Sequence, residues 1–183
     1  MATAFTHPLV PVVAAYLIGR DKIPTRVLVL ASFASVIPDL DVIGLRFGVS
    51  YGDQFGHRGF SHSIFFSAFI AAMSLMFCKN LKVSKILCFG LIFIGACSHG
   101  VLDAMTNGGG GIAFFWPLTD ERYFFSWRPI EVSPIGIRSF ISPRGFNVLI
   151  NEFLIIWLPA MAIVFLAKRK LQILSRLAYK RNK

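Results

Sequence analysis

Charge is what this sequence has least of. Only 15% of its 183 residues are charged, where a soluble domain carries about a quarter. Acidic side chains are the scarcest, nine Asp and Glu against nineteen Lys and Arg. Cysteine is also sparse. Cys78, Cys88 and Cys97 are odd in number, lack CxxC spacing and sit in apolar segments. That excludes a disulfide framework and a thiolate zinc site, and leaves each as a small core hydrophobe. There is no internal repeat and no low-complexity run beyond four successive glycines. The shortage of charge, together with long apolar runs, excludes a disordered chain, a collagen-like chain and a soluble nucleic-acid-binding domain. The net charge of +10 then reads as basic residues that orient a polytopic chain in a bilayer.

What is present is 55% hydrophobic sequence with nineteen Phe. A membrane span needs about 20 mostly apolar residues. Segments 27–47, 63–78, 86–105 and 148–167 qualify, the second by borrowing flanking residues. Residues 5–19, uncharged apart from His7, are a fifth candidate. This stretch has no basic n-region and no A-x-A site, so it does not read as a cleaved signal peptide. Pro8 and Pro11 fit its first turn or a kink. The expected fold is an all-α polytopic membrane bundle, with five helices if the first segment crosses fully and four if it is half inserted. Residues 1–167 form one transmembrane domain, and 168–183 form a basic tail.

Lys and Arg in the connecting loops set the orientation. Arg20, Lys22 and Arg26, then Lys79, Lys82 and Lys85, then seven residues of the tail fall on one side of a five-span arrangement. These thirteen face six on the other side, Arg46, Arg58, Arg122, Arg128, Arg138 and Arg144. The tail is therefore expected in the cytoplasm, with the two longer loops outside. Loop 106–147 is too long for a simple connector. It opens on the flexible tract Asn107-Gly108-Gly109-Gly110-Gly111 and continues with Trp116, Tyr123 and Trp127 among other aromatics. Aromatics at this density form an interfacial belt beside a bilayer, or a lid over a lipid-facing pocket.

The few polar residues in apolar segments all fall toward the outer side: His7, Asp39, Asp41, His57, His62, His99, Asp103 and Glu152. An ionised side chain at the bilayer centre costs on the order of 3 kcal/mol. Neutral imidazoles cannot offset three aspartates, and Arg58 offsets one. A divalent cation offsets the rest and explains the histidines.

Spacing agrees. His99 and Asp103 are four apart and share one helix face. Asp39 and Asp41 are two apart, which a regular helix would splay. Pro38 disfavours helix at Ile37, so a break there can turn both inward; in an unbroken helix Asp39 alone binds. His57 and His62 suit a loop folded round an ion, with Gly59 allowing the turn. Ser61 is then placed to cap the following helix. Read singly, His7 and Glu152 are interfacial residues and the Asp pair ends a helix at the surface. The convergence favours metal, and carboxylate with imidazole suits zinc, manganese or iron.

Thr6-His7-Pro8, Pro38-Asp39-Leu40-Asp41, His57-Arg58-Gly59-Phe60-Ser61-His62-Ser63 and His99-x-x-x-Asp103 together resemble the YdjM family. The resemblance implies a bacterial inner-membrane, metal-dependent hydrolase. The family is itself distantly similar to zinc-dependent phospholipase C and P1-type nucleases. Those helical enzymes bind a cluster of zinc ions and also use an HxxxD pair, matched here by His99 and Asp103. His7, Asp39, His57 and His62 are the available counterparts for their other ligands.

The expected function is hydrolysis of a phosphoester in a lipid or lipid-linked substrate. One to three divalent ions, zinc by default, would be held by His7, Asp39, His57, His62, His99 and Asp103. Asp41 is a ligand or an outer base, and Arg58 binds the phosphate. The site would face the periplasm. An ion- or proton-coupled transporter and a non-catalytic, metal-clamped protein are the competing expectations.

Overall fold

A computed structural model describes residues 1–181, and Lys183 of the basic tail lies outside the described residues. The chain is helical, with no strand among those residues. In order come α1 (Leu9–Ile18), α2 (Thr25–Ala34), α3 (Val42–Arg46), α4 (Ile64–Ser74) and α5 (Lys85–Ala104). Then follow α6 (Ile137–Phe140), α7 (Pro143–Glu152) and α8 (Leu158–Arg181). The helix ends follow local chemistry. Ser84 caps α5 by accepting from the Leu87 amide, and Ser142 caps α7 with Pro143 at its first position. The cap of α4 is Ser63, not Ser61, because Phe60–His62 coils into a separate 3-10 turn. Before Pro38 the helix fails: α2 stops at Ala34, and after this break a 3-10 turn over Ile37–Asp41 runs on into α3, the two pieces bent by 41°.

α5 is the central post, touching α1, α2 and α4. Their shared core is built from small and apolar side chains, among them Ala15, Ala31, Ala71, Cys88 and Leu91. Small residues let membrane helices approach closely. At Gly95 a Cβ would lie 2.5 Å from the Ala31 carbonyl oxygen, so α2 and α5 meet backbone to backbone. α7, a π turn over Phe153–Trp157 and α8 form one continuous rod that packs on α1.

Among the described residues two helices are long and apolar enough to cross a membrane, Lys85–Ala104 and Pro143–Lys170. The bent α2–α3 pair makes a third if it is one broken span, while Leu9–Ile18 and Ile64–Phe77 are shorter apolar helices. This differs from five full spans. Residues on either side of His7 and His62 are folded into turns instead of helix, which shortens both segments. The rod also begins five residues before position 148, so the long loop ends sooner. That loop is laced by two isolated bridges, Thr106 with Ile130 and Ile112 with Tyr123.

Candidate metal centre

Four separate pieces of chain deliver polar side chains to the end of the bundle where α5 finishes. His99 and Asp103 come from the last turns of α5, both fully buried. The bend at Pro38 brings in Asp39 and Asp41. The turn before α4 brings in His57, Arg58 and His62, and the segment before α1 brings in His7. Gly59 is required there, since a Cβ would fall 2.1 Å from the Gln54 carbonyl oxygen.

Asp39, His62, His99 and Asp103 each offer a ligand atom, and these atoms all lie within 4.8 Å of one another. Hydrogen bonds fix the ring tautomers. His99 Nδ1 sits 2.7 Å from the Ser35 carbonyl, which only accepts, so Nδ1 carries a proton and Nε2 is the atom turned to the cluster. His62 Nδ1 faces Asp41 Oδ2 at 3.2 Å, so its Nε2 is free. Burial pushes the His62 imidazole below its usual pKa despite the opposing pull of Asp41, which keeps the ring neutral. The two Nε2 atoms are 3.1 Å apart. His99 Nε2 is also 3.2 Å from Asp39 Oδ1, and His62 Nε2 is 3.9 Å from Asp103 Oδ2. Lone pairs and carboxylates this close repel unless a positive charge lies between them. One cation satisfies all four at once.

Unpartnered atoms fit the same reading. Both Asp39 oxygens and both ring nitrogens of His7 are buried with no hydrogen bond. Buried polar atoms without partners are costly and rare. His7 stacks on His99 with ring centroids 3.7 Å apart, and its Nε2 lies 3.7 Å from Asp103 Oδ1.

Asp41 is differently used. Its carboxylate takes His57 Nδ1 at 2.6 Å, the Ser61 hydroxyl at 2.5 Å and the Arg58 amide at 3.2 Å, besides His62. It organises the whole 57–62 turn, and a carboxylate behind a ligating histidine fixes the ring and raises its basicity. With His57 and His62 it also forms a second group able to hold an ion. Arg58 is fully buried at a φ of +69°, an uncommon conformation for a side chain of this size. Its Nε meets Asp103 Oδ2 at 3.2 Å, while its terminal nitrogens donate to the Gly108 carbonyl at 2.8 Å and the Thr106 hydroxyl at 3.0 Å. The glycine tract is thus a packed cover and not a free hinge. At Gly109 a Cβ would lie 2.3 Å from the guanidinium. Arg122 ties the rest of the long loop down by donating to the His57 carbonyl at 2.9 Å.

The chain matches the family described as YdjM inner membrane protein over residues 1–172. The chain belongs to the YdjM family. It is also 37% identical over 166 residues to inner membrane protein YbcI of Escherichia coli strain K12, covering 90% of this chain and 95% of that protein. No solved structure matches. Family membership and the apolar helices support an inner-membrane location.

For this YdjM-family chain, sequence reasoning passed over one buried acid. Glu152, read as interfacial, is 1% exposed and accepts from the Thr3 amide and hydroxyl, both at 2.5 Å, and from the Thr6 hydroxyl at 2.6 Å. Its partners lie some 150 positions away, so no local pattern marks it. Intramembrane acids are functional candidates by default, and that rule was the available signal.

Proposed function

We propose that the protein is a membrane-embedded, metal-dependent hydrolase acting on a phosphoester of a lipid or lipid-linked substrate. The observation that carries the reading is the convergence of two imidazole nitrogens and two carboxylates on one point. A divalent cation there, zinc by default for hydrolysis without redox chemistry, supplies Lewis acidity and brings the pKa of a water toward neutrality.

The chain's own residues do the rest. Asp39, His62, His99 and Asp103 hold the ion, and His7 completes the set from above His99. Asp41 holds His57 and His62 in register. Arg58 steadies Asp103 and has two further N–H groups to offer a phosphate oxygen. Asp39, at 9% side-chain exposure, is the least covered of the four ligands and marks the side from which substrate enters. Trp127, 67% exposed, stands at the headgroup level of the outer leaflet. In this reading the site faces the periplasm and the C-terminus the cytoplasm. The confinement of the cluster to one end of the bundle favours hydrolysis over transport, because a transport path needs polar groups through the full depth.

The test is purified protein assayed for bound metal and for phosphoester hydrolysis, alongside His99→Ala. Stoichiometric transition metal and hydrolysis, both lost in the variant, are expected. Metal without hydrolysis of soluble or lipid phosphoesters would leave a metal clamp. Proton or ion flux in liposomes that depends on Asp39 would instead assign a transporter.

A further inference from the structure

Glu152 has no place in the proposed chemistry, yet it is a buried acid with both carboxylate oxygens hydrogen-bonded. Its carboxylate accepts three hydrogen bonds, all from Thr3 and Thr6 in the segment that carries His7. Trp157 reaches the same segment, donating its indole N–H to Thr6 Oγ1 at 2.9 Å. Thr6 therefore receives from Trp157 and gives to Glu152, and His7 is the next residue.

That double grip depends on an irregularity in the last helix. Glu152 and Trp157 are five residues apart, so in an α-helix they would point about 140° away from one another. The π turn over Phe153–Trp157 closes roughly one turn across that interval and brings both to one face. Such single π turns are found mostly where a helix serves a site.

No hydrogen bond holds the His7 ring, which stacks on His99 with centroids 3.7 Å apart. Its Nε2 lies 3.7 Å from Asp103 Oδ1. A ligating imidazole ordinarily has its other nitrogen bonded by an outer partner. His99 has the Ser35 carbonyl and His62 has Asp41, but His7 lacks one. Stacking on His99 sets the plane of the ring, while its placement along the chain is set by the backbone, which is gripped one residue before it at Thr6.

We infer that Glu152, acting through Thr6 with Trp157, is a positioning residue that presents His7 to the metal centre and so ties the last membrane helix to the site. The inference rests on the metal reading above and goes beyond it by giving the rod of α7 and α8 a function.

The experiment uses the detergent-solubilised full chain loaded with Co2+, read by its visible absorption and by affinity in a chelator competition. Glu152→Gln and Thr6→Val should each weaken binding about 10- to 100-fold. Each should also shift the cobalt bands toward those of His7→Ala. Thr6→Ser keeps the hydroxyl and should behave as wild type. In the His7→Ala background, Glu152→Gln should cause no further loss. Equal losses with and without His7 would make Glu152 a merely structural residue and overturn the inference. A wild-type spectrum in Thr6→Val would overturn it as well, and that variant serves if Glu152→Gln does not fold. A wild type that binds no cobalt at all overturns the metal reading and this inference together, a pattern distinct from the others.

Discussion

Between Ala15 and Leu91, helices α1, α2, α4 and α5 meet on alanine, cysteine and leucine. A few residues past Gly95 the same α5 carries His99 and Asp103, both closed to solvent, into a nest of imidazoles and carboxylates. One helix therefore serves two cores of opposite chemistry. The apolar half is specified by volume. Many side chains of similar size would fill it, and nothing there depends on an individual atom. The polar end is specified atom by atom: Asp41, Ser35 and Arg58 each fix a named group, and the atoms left without a hydrogen bond converge on one point. The difference predicts where substitutions act. Changes in the polar half should remove metal, activity or both, while changes in the apolar half should move stability alone.

The largest effect is expected at Asp103. It joins the two roles, facing His62 and His7 on one side and Arg58 Nε at 3.2 Å on the other. Asp103→Ala deletes a ligand and leaves the buried guanidinium without its counter-charge. Breaking such a pair costs about 3–5 kcal/mol. We expect complete loss of stoichiometric metal and a large drop in melting temperature. Retained metal with an unchanged melt would end the account of this site.

Arg58→Lys comes next and divides the polar end more finely. Lysine keeps the charge but cannot reach Asp103, Thr106 and Gly108 together, since it lacks the planar fork. Metal content should persist, because arginine offers no lone pair to a cation. Hydrolysis should fall about a hundredfold, the usual scale for losing one charge-stabilising donor. If the rate on phosphate esters is unchanged, Arg58 only supports Asp103, and the phosphoester assignment weakens.

How far the sequence led depends on the distance between partners. His99 and Asp103 were readable because α5 is regular and four residues make one turn. A break at Pro38 was readable as one of two outcomes, and the helix is broken there, with Asp39 and Asp41 each joining a group of side chains able to hold an ion. Helical membrane character followed from composition. The span lengths did not, because the turns that deliver His7 and His62 consume residues that hydropathy assigns to helix. Ser61 illustrates a local rule losing to a tertiary partner, its hydroxyl going to Asp41 and the cap falling to Ser63. Glu152 was invisible because its meaning lies in Thr3, Thr6 and a π turn, none of which leaves a periodic trace.

Gly95→Ala should separate the two halves from the apolar side. The added Cβ would meet the Ala31 carbonyl oxygen at 2.5 Å, so α2 and α5 must move apart. Overpacking of this kind costs about 1–3 kcal/mol. The melting temperature should fall, while metal per chain stays at the wild-type value. Loss of metal in this variant would show that the two halves are coupled, and that volume in one sets geometry in the other.

The smallest perturbation tests which half faces out. Cys78 and Cys88 are buried in the apolar core and Cys97 is partly so, with no disulfide among them. Replacing all three by alanine should cost about 1 kcal/mol each or less, as small volume losses do, and leave the metal centre intact. On that background, single cysteines at Asp120 and Lys170, both exposed, report the two ends. Asp120 lies on the long loop beside the polar end. Lys170 follows the apolar stretch of the last rod, next to Lys168 and Arg169, where the excess of basic residues gathers. Basic residues are retained on the cytoplasmic side during insertion. An impermeant thiol reagent applied to intact cells, with the outer membrane made permeable, should therefore label Asp120→Cys. Lys170→Cys should react only after the inner membrane is opened. The reverse pattern would keep the metal centre but turn it toward the cytoplasm, where its substrate would have to arrive from the inner leaflet.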